Sequence, residues 1–215
     1  MIRSCLLPLC VVLLMAADPS WKGKTVSQWS AEDAGQVLTN SPWVKRTTVA
    51  ILPQRSEAQL REGGKMGGGG KRAGLGSLSE SGRGETLDVR WESAAPVRAA
   101  ELKAGETGAP DWEGNYYAIA VYDVPGITPV VQKSLSGELK QTTFLKRNGK
   151  KDLKPARVDI ALMGKNRARV VYFFPRSAEI TLEDQRVEFV AQIGRLYVAQ
   201  FFDTGEMQFQ GKLEL

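Results

Sequence analysis

The stretch from Trp29 to Trp43 constrains the fold of this chain most, because it specifies a helix together with its N-terminal cap. Ser30 is a favourable N-cap residue, and Asp33 three residues later can return the hydrogen bond, as in a capping box. A stripe of apolar residues at helical spacing follows, formed by Ala34, Val37 and Leu38. The pattern therefore predicts a helix of about three turns with one buried face.

The two ends of this helix carry further signals. Trp29 precedes the cap and can fold over Ala34 as a hydrophobic staple. Asn40 can end the helix in the left-handed conformation, and Ser41-Pro42 favours an extended exit towards Trp43. We interpret Trp29 and Trp43 as aromatic residues that hold the helix on the rest of the fold. The alternative is that these two tryptophans form a recognition surface.

The N-terminus predicts an export signal over residues 1–17. Arg3 supplies the positive charge, an apolar stretch runs from Leu6 to Met15, and Ala16 and Ala17 supply small residues for cleavage. The apolar stretch is short for a membrane span, which takes about 20 residues. An uncleaved anchor is the alternative, as is lipid modification at Cys10. We expect an exported protein, periplasmic or secreted, without a transmembrane span after cleavage.

The residue types that are missing exclude several chemistries. The chain has no histidine, and its two cysteines, Cys5 and Cys10, both lie within the predicted signal. A mature chain without either residue cannot build a Ser-His-Asp triad, a Cys-His pair or a thiolate- or histidine-ligated metal site. We therefore expect no cofactor and no metal centre. Carboxylate pairs, lysine, tyrosine or a cation held by oxygen atoms remain as chemical options.

Composition divides the rest of the chain into three segments. Residues 18–61 carry the capped helix and a β-branched strand that follows Trp43. Residues 62–85 are rich in glycine and have little to bury, so they predict a flexible loop. Residues 86–215 predict the main α+β body, to which residues 18–61 belong as part of the same domain.

The strand after the glycine-rich segment has a clear alternation. Its apolar residues, Leu87, Val89 and Trp91, share one face. Arg90 and Glu92 occupy the other face, where we expect an exposed ion pair worth at most about 1 kcal/mol. Ser93 can then cap a second helix, and Gly105 can end it.

The C-terminal half predicts mostly antiparallel sheet. Residues 116–122 are an unbroken apolar run, as in a central strand covered on both faces, and a short helix is expected over 127–135. From Thr142 onward, alternating strands separated by glycine-containing turns predict a β meander, the last strand running from Met207 to Leu213. The expected fold class is α+β, mainly antiparallel, with the N-terminal capped helix and one or two further short helices.

Carboxylates are the only catalytic candidates. Asp111 and Glu113 flank a tryptophan in a predicted loop, and Asp123 ends the central strand. Two acids near an aromatic ring can hydrolyse a glycoside, where a separation of about 5 to 9 Å decides the mechanism. The simpler interpretation is that these acids keep loops solvated. Candidate binding residues are Trp29, Trp43, Arg90 and Arg176.

Four segments of the sequence belong together. They are Trp29 with Glu32-Asp33-Ala34 and Ser41-Pro42-Trp43; Arg90-Trp91-Glu92-Ser93-Ala94 with Pro96-Val97-Arg98; Phe174-Pro175-Arg176; and Gly211-Lys212-Leu213-Glu214-Leu215. Together they resemble an uncharacterised family of exported bacterial proteins. That family has no assigned activity, so the resemblance implies export and a shared fold, and it implies no active site.

Three classes of function remain after these exclusions. The first is a non-catalytic binding or structural module of the cell envelope, whose partner is an envelope or extracellular protein or polymer. The second is a carboxylate-dependent hydrolase that acts on an envelope polymer. The third is a polyanion binder, suggested by the formal net charge of +5 and by the lysines of the glycine-rich segment. The positive charges are scattered, so a nucleic-acid partner is not expected.

Overall fold

A computed structural model describes residues 18–51, 84–106, 114–164 and 166–215. The predicted export signal, residues 62–83 of the glycine-rich segment, Asp111 and Glu113 lie outside the described residues. The helices are α1 (Ala31–Thr39), α2 (Ala95–Ala104) and α3 (Pro129–Thr142). The strands are β1 (Val44–Ile51), β2 (Glu85–Trp91), β3 (Tyr116–Pro125), β4 (Thr143–Arg147), β5 (Arg157–Leu162), β6 (Arg167–Pro175), β7 (Arg186–Ile193), β8 (Leu196–Asp203), β9 (Gln208–Phe209) and β10 (Lys212–Leu213).

Eight of the strands form one sheet in the order β4-β7-β8-β1-β2-β3-β6-β5, and β9 pairs with β10 in a separate ribbon. Every strand pairing is antiparallel. The predicted α+β class with a mainly antiparallel sheet is therefore confirmed. Among the described residues, no helix has the length and apolar character needed to cross a membrane.

Strand β1 joins two halves of the sheet. Its first six residues pair with β2, whereas Ala50 and Ile51 pair with β8. The two halves face each other, because the Phe189 ring of β7 lies 5.3 Å from the Tyr172 ring and 6.4 Å from the Phe174 ring of β6. Helix α3 contacts both β5 and β7. The main core lies between the two halves, and the opposite side of β2, β3 and β6 is called the outer face below.

The predicted cap of α1 forms as expected. The Ser30 hydroxyl accepts from the Asp33 amide at 3.1 Å, and the Asp33 carboxylate accepts from the Ser30 amide at 2.8 Å. The expected left-handed end at Asn40 is wrong, since Asn40 has φ −146°. At this end of α1 the Val37 carbonyl accepts a hydrogen bond from the Ser41 hydroxyl at 2.6 Å. A left-handed residue is not required to satisfy that carbonyl.

The second helix begins without the expected serine cap. Its N-cap is Ala94, with no side-chain hydrogen bond, and Pro96 lies in the first turn. Ser93 instead accepts a hydrogen bond from the Ala118 amide at 3.0 Å and so joins the end of β2 to β3. Gly105 ends α2 at φ 66°, in the left-handed region, as predicted.

The last predicted strand is interrupted. Gln210 and Gly211 have φ values of 50° and 75°, so they form a turn between β9 and β10. Positive φ is incompatible with an extended strand, and a glycine tolerates it without steric cost. The chain from Met207 to Leu213 is therefore a small ribbon beside the main sheet and not the third strand of a meander.

Candidate functional site

Two of the sequence-predicted binding residues belong to the core. Trp29 is 2% exposed and Trp43 is fully buried. Their rings pack with Trp21 and Phe209, at centroid distances of 5.6 Å for Trp21–Trp43 and 5.5 Å for Trp29–Phe209. Neither side chain offers a surface to a ligand in this arrangement. We call these four aromatic residues the tryptophan cluster.

The catalytic candidate Asp123 lies on the surface. It has φ 58° and falls where the pairing of β3 with β6 shifts register between Val121 and Val124. Its carbonyl accepts from Arg167 at 2.8 Å, and its side chain is exposed. The bulge explains the unusual backbone, because an extra residue in one strand bends it and strengthens its twist. Asp111 and Glu113 lie outside the described residues, so the grouping of these acids with Asp123 stays a prediction.

Arg90 is the centre of a buried ionic cluster, and the expectation of an exposed Arg90–Glu92 pair is wrong. The pair itself forms, with Arg90 Nε 2.7 Å from Glu92 Oε1. However, Arg90 is 6% exposed and Glu92 is fully buried. Arg90 Nη2 also contacts Glu101 Oε1 at 2.8 Å and Glu106 Oε2 at 3.1 Å. Glu101 of α2 contacts Arg90 on the outer face of β2, so this face is covered here. Alternation along a strand predicts which residues share a face but not whether another element packs on it.

Tyr122 completes this cluster from the neighbouring strand β3. Its hydroxyl accepts from Arg90 Nη2 and donates to Glu92 Oε1 at 2.6 Å. The Arg90 guanidinium also lies 4.5 Å from the centre of the Tyr122 ring. We name these five residues (Arg90, Glu92, Glu101, Glu106 and Tyr122) the arginine cluster.

Burial and neighbouring charge shift the protonation of this cluster. Burial, together with the hydrogen bond and the negative charge of Glu92, raises the pKa of Glu101 to about 9. Burial and the charge of Glu92 likewise raise the pKa of the Tyr122 phenol. The raised pKa favours the protonated form of Glu101, which lies beside the Glu92 carboxyl group that pairs with Arg90. Such a pair of unlike carboxyl groups has acid and base character, but Glu92 and Glu101 are both shielded from solvent.

The fourth binding candidate, Arg176, lines an open cleft of about 650 Å³. Ligand sites are typically clefts of about 300–1,000 Å³. Arg176 donates to the carbonyl of Tyr116 at 3.2 Å and to the backbone oxygen of Leu215, and its guanidinium lies 4.4 Å from the Tyr117 ring centre. These contacts fix the guanidinium at the cleft wall. Two of its five N–H donors are spent on backbone oxygens.

The segment 179–183 also lines the cleft. Glu179 and Glu183 are exposed, and Leu182 is a large apolar side chain with 48% exposure. Thr181 belongs to a capping box with Asp184, whose carboxylate accepts from the Thr181 amide at 2.9 Å. The cleft thus combines two carboxylates with an exposed leucine.

The third side of the cleft is the chain from Leu213 to Leu215. In the ribbon, the Glu214 amide bonds the Met207 carbonyl at 3.0 Å, and Lys212 faces Phe209. Hydrogen-bonded and non-hydrogen-bonded residues alternate in an antiparallel pair, so the amide and carbonyl of Leu213 point away from β9. Among the described residues, no backbone hydrogen bond outside the ribbon involves either group. This is an unpaired strand edge beside an open cleft.

Sequence reasoning missed Glu101, Tyr122 and Leu182. A signal existed for Glu101, because it follows Val97 by four residues and so shares the apolar face of α2. A carboxyl group on an apolar helix face requires a buried partner. No comparable signal marks Leu182, since a single leucine in a polar stretch is common on protein surfaces.

No metal site emerges from the described part of the chain, where no group of three or more acidic side chains has the geometry to hold an ion. The three acids of the arginine cluster surround a guanidinium, which already neutralises part of their charge. No protein-family model matches this sequence, and the comparisons with curated proteins and with solved structures likewise returned no match.

Proposed function

We propose that this chain is an exported, non-catalytic binding module, and that the cleft beside Arg176 is its binding site. The observation that supports this proposal is the open cleft of about 650 Å³, which joins an unpaired strand edge to a segment with an exposed leucine. A cleft of this size that combines apolar side chains with a few polar groups is the usual form of a ligand-binding site. The partner is an envelope or extracellular protein or polymer.

Rigidity on two sides favours binding in the cleft. Arg176 ties the end of β6 to Leu215, and the Tyr117 hydroxyl on β3 accepts from the Ile180 amide at 3.0 Å. A site whose walls are already fixed loses little conformational entropy when a ligand binds. The arrangement therefore suits recognition by a preformed surface.

A carboxylate-dependent hydrolase is the second candidate. It is favoured by the pairing of Glu92 with protonated Glu101, because a neutral acid next to a charged carboxylate is the arrangement that glycoside hydrolysis uses. Their burial disfavours this candidate, since a general acid must come within hydrogen-bond distance of the substrate. Turnover of a glycan panel that Glu101→Gln abolishes would support the hydrolase and contradict the binding module.

Polyanion binding is the third candidate, and salt distinguishes it from the others. Affinity that rests on phosphate-type contacts falls steeply between low and moderate salt. The cleft is lined by Glu179 and Glu183, whose negative charge repels a polyanion. We expect retention of a partner by the cleft to fall less steeply over that range of salt than phosphate-type contacts require.

Site-directed crosslinking tests the binding proposal. A photo-reactive amino acid replaces either Leu182, on the cleft, or Leu102, an 82% exposed leucine of α2 outside the cleft. After incubation with envelope extract, we expect a discrete adduct from position 182 and none from position 102. Glu183→Lys in the same protein should remove the adduct. Equal adducts at both positions, or none at position 182, would contradict the proposal.

Export is tested by intact mass. Protein recovered from the envelope fraction should begin near Asp18, as the predicted signal over residues 1–17 requires. Full-length chain found only in the cytoplasm would refute the export part of this proposal. It would also remove the reason to look for an envelope partner.

A further inference from the structure

The exposed edge at Leu213 indicates what kind of ligand the cleft accepts. An unpaired N–H and C=O along a strand are a template for another strand, and proteins normally cover or disrupt such edges. Here Leu213 lines the open cleft, and two residues along the chain the Leu215 oxygen accepts from Arg176. Extended peptides use edges of this kind by adding one strand to them.

The side chains around the edge restrict the peptide further. Glu179 and Glu183 add two carboxylates to the lining of the same cleft, and Leu182 lies between them in sequence. The Arg176 guanidinium is already engaged with backbone oxygens and with the Tyr117 ring. A basic side chain complements the carboxylates, and an apolar one can cover Leu182. In a strand, alternate side chains can meet these two needs, because successive residues point to opposite faces.

We propose that the cleft binds an extended peptide that pairs with the Leu213 edge as an added strand and presents basic side chains to Glu179 and Glu183. This inference rests on the proposed binding function and names its ligand class. The backbone supplies the pairing and the carboxylates supply the preference for lysine or arginine. A glycan or a polyanion cannot satisfy both requirements, because neither provides the alternating amide pattern of a strand.

A set of short capped peptides that alternate lysine and valine tests the strand pairing. In one variant, the first alternate set of backbone amides is N-methylated, and in another the second set is methylated. Only one set faces the edge in an added strand, so we expect one variant to lose about tenfold or more in affinity and the other to bind like the parent. Loss in both variants, or in neither, contradicts strand addition.

Charge and location are tested with the same peptides. Replacing lysine by glutamate should abolish measurable binding, and Glu183→Lys in the protein should weaken the parent peptide severalfold. Leu182→Ser should also weaken it, whereas Leu102→Ser, the matched exposed leucine, should not. In nuclear magnetic resonance spectra, the parent peptide should protect the Leu213 amide from exchange with solvent. Binding that leaves Leu213 unprotected would overturn the proposed location.

The outcomes separate this inference from the function on which it rests. If position 182 crosslinks a partner from envelope extract but no peptide of this set binds, the peptide inference fails and the binding module stands. If position 182 captures nothing, the binding module itself fails. Binding of the glutamate peptide in preference to the lysine peptide would contradict the role assigned to Glu179 and Glu183.

Discussion

The indole nitrogen of Trp43 donates a hydrogen bond to the backbone oxygen of Glu214 at 2.7 Å, across a sequence separation of 171 residues. Trp43 follows α1 and lies in the tryptophan cluster, whereas Glu214 lies between two leucines, Leu213 and Leu215, that line the cleft. One hydrogen bond thus joins the best-specified local element of the sequence to the edge on which the proposed binding depends.

Truncation of Trp43 should strongly lower the free energy of unfolding. Trp43→Ala removes a fully buried indole, and such truncations typically cost about 3 to 5 kcal/mol of the free energy of unfolding. Ser30→Ala removes only the cap hydrogen bond to the Asp33 amide, and should cost about 1 kcal/mol. Urea unfolding of the two variants checks the order. A Trp43→Ala protein as stable as wild type would show that the tryptophan cluster is not a structural core.

The arginine cluster should be much more sensitive than a surface ion pair. Arg90→Met leaves Glu92 buried without its charged partner, and breaking a buried pair typically costs about 3 to 5 kcal/mol. Arg46→Met is the matched control, because Arg46 pairs with Asp88 at 2.8 Å but is 66% exposed. We expect the control to cost less than about 1 kcal/mol. Similar losses in the two variants, measured by chemical denaturation, would contradict the buried arrangement.

Stability should fall as the solution becomes alkaline. The pKa of Glu101 is raised to about 9 in the folded protein from an ordinary value of 4.5, so the folded state binds more protons between these values. The contribution of protonated Glu101 is complete below about pH 4.5 and is lost as the pH rises through about 9. The glutamine in Glu101→Gln cannot ionise. The melting temperature of this variant should therefore decline less than that of wild type between about pH 6 and about pH 9. Parallel pH profiles for the two proteins would refute the raised pKa.

Acid should also destabilise the protein, through Asp33. Hydrogen bonds from Lys24 at 2.7 Å, from the Ser20 hydroxyl at 2.5 Å and from Ser30 hold the pKa of this carboxyl well below its usual range. Its contribution to stability is therefore present above the unfolded-state pKa, near 3.8, and is lost as the pH falls further. We expect Asp33→Asn to be less stable than wild type at neutral pH. Below pH 3 the difference should narrow, which thermal melts at a series of pH values can measure.

Sequence alone predicts the parts of the fold that local rules determine. The Ser30–Asp33 cap, the left-handed Gly105 and the inward face of β2 all follow from spacing and residue type, and all three are observed. The predictions that proved wrong depend on contacts between distant parts of the chain. Ser93 does not cap α2 because the Ala118 amide, from a distant strand, takes its hydroxyl.

The residues of the candidate site were harder to predict from the sequence than the fold, because they meet through contacts between distant parts of the chain. Alternation placed Arg90 and Glu92 on the outer face correctly, yet it could not show that Glu101 and Tyr122 meet them there. The cleft is less predictable still, because it arises where β3, the segment 179–183 and the C-terminal ribbon converge. Of its wall residues, only Arg176 was identified from sequence, and its partners are backbone oxygens that no sequence pattern encodes.

We expect the tryptophan cluster to anchor the C-terminal ribbon beside the cleft, through the hydrogen bond from Trp43 to Glu214. Amide hydrogen exchange at Glu214, compared between Trp43→Phe and Trp21→Phe, tests it most directly. Both substitutions keep an aromatic ring in the cluster, but only the Trp43 indole donates to the Glu214 backbone, since the Trp21 indole nitrogen has no hydrogen-bond partner within the described residues. We predict exchange roughly fivefold to tenfold faster at Glu214 in Trp43→Phe, for the loss of one hydrogen bond, and wild-type exchange in Trp21→Phe. Equal exchange rates in the two variants would contradict the account.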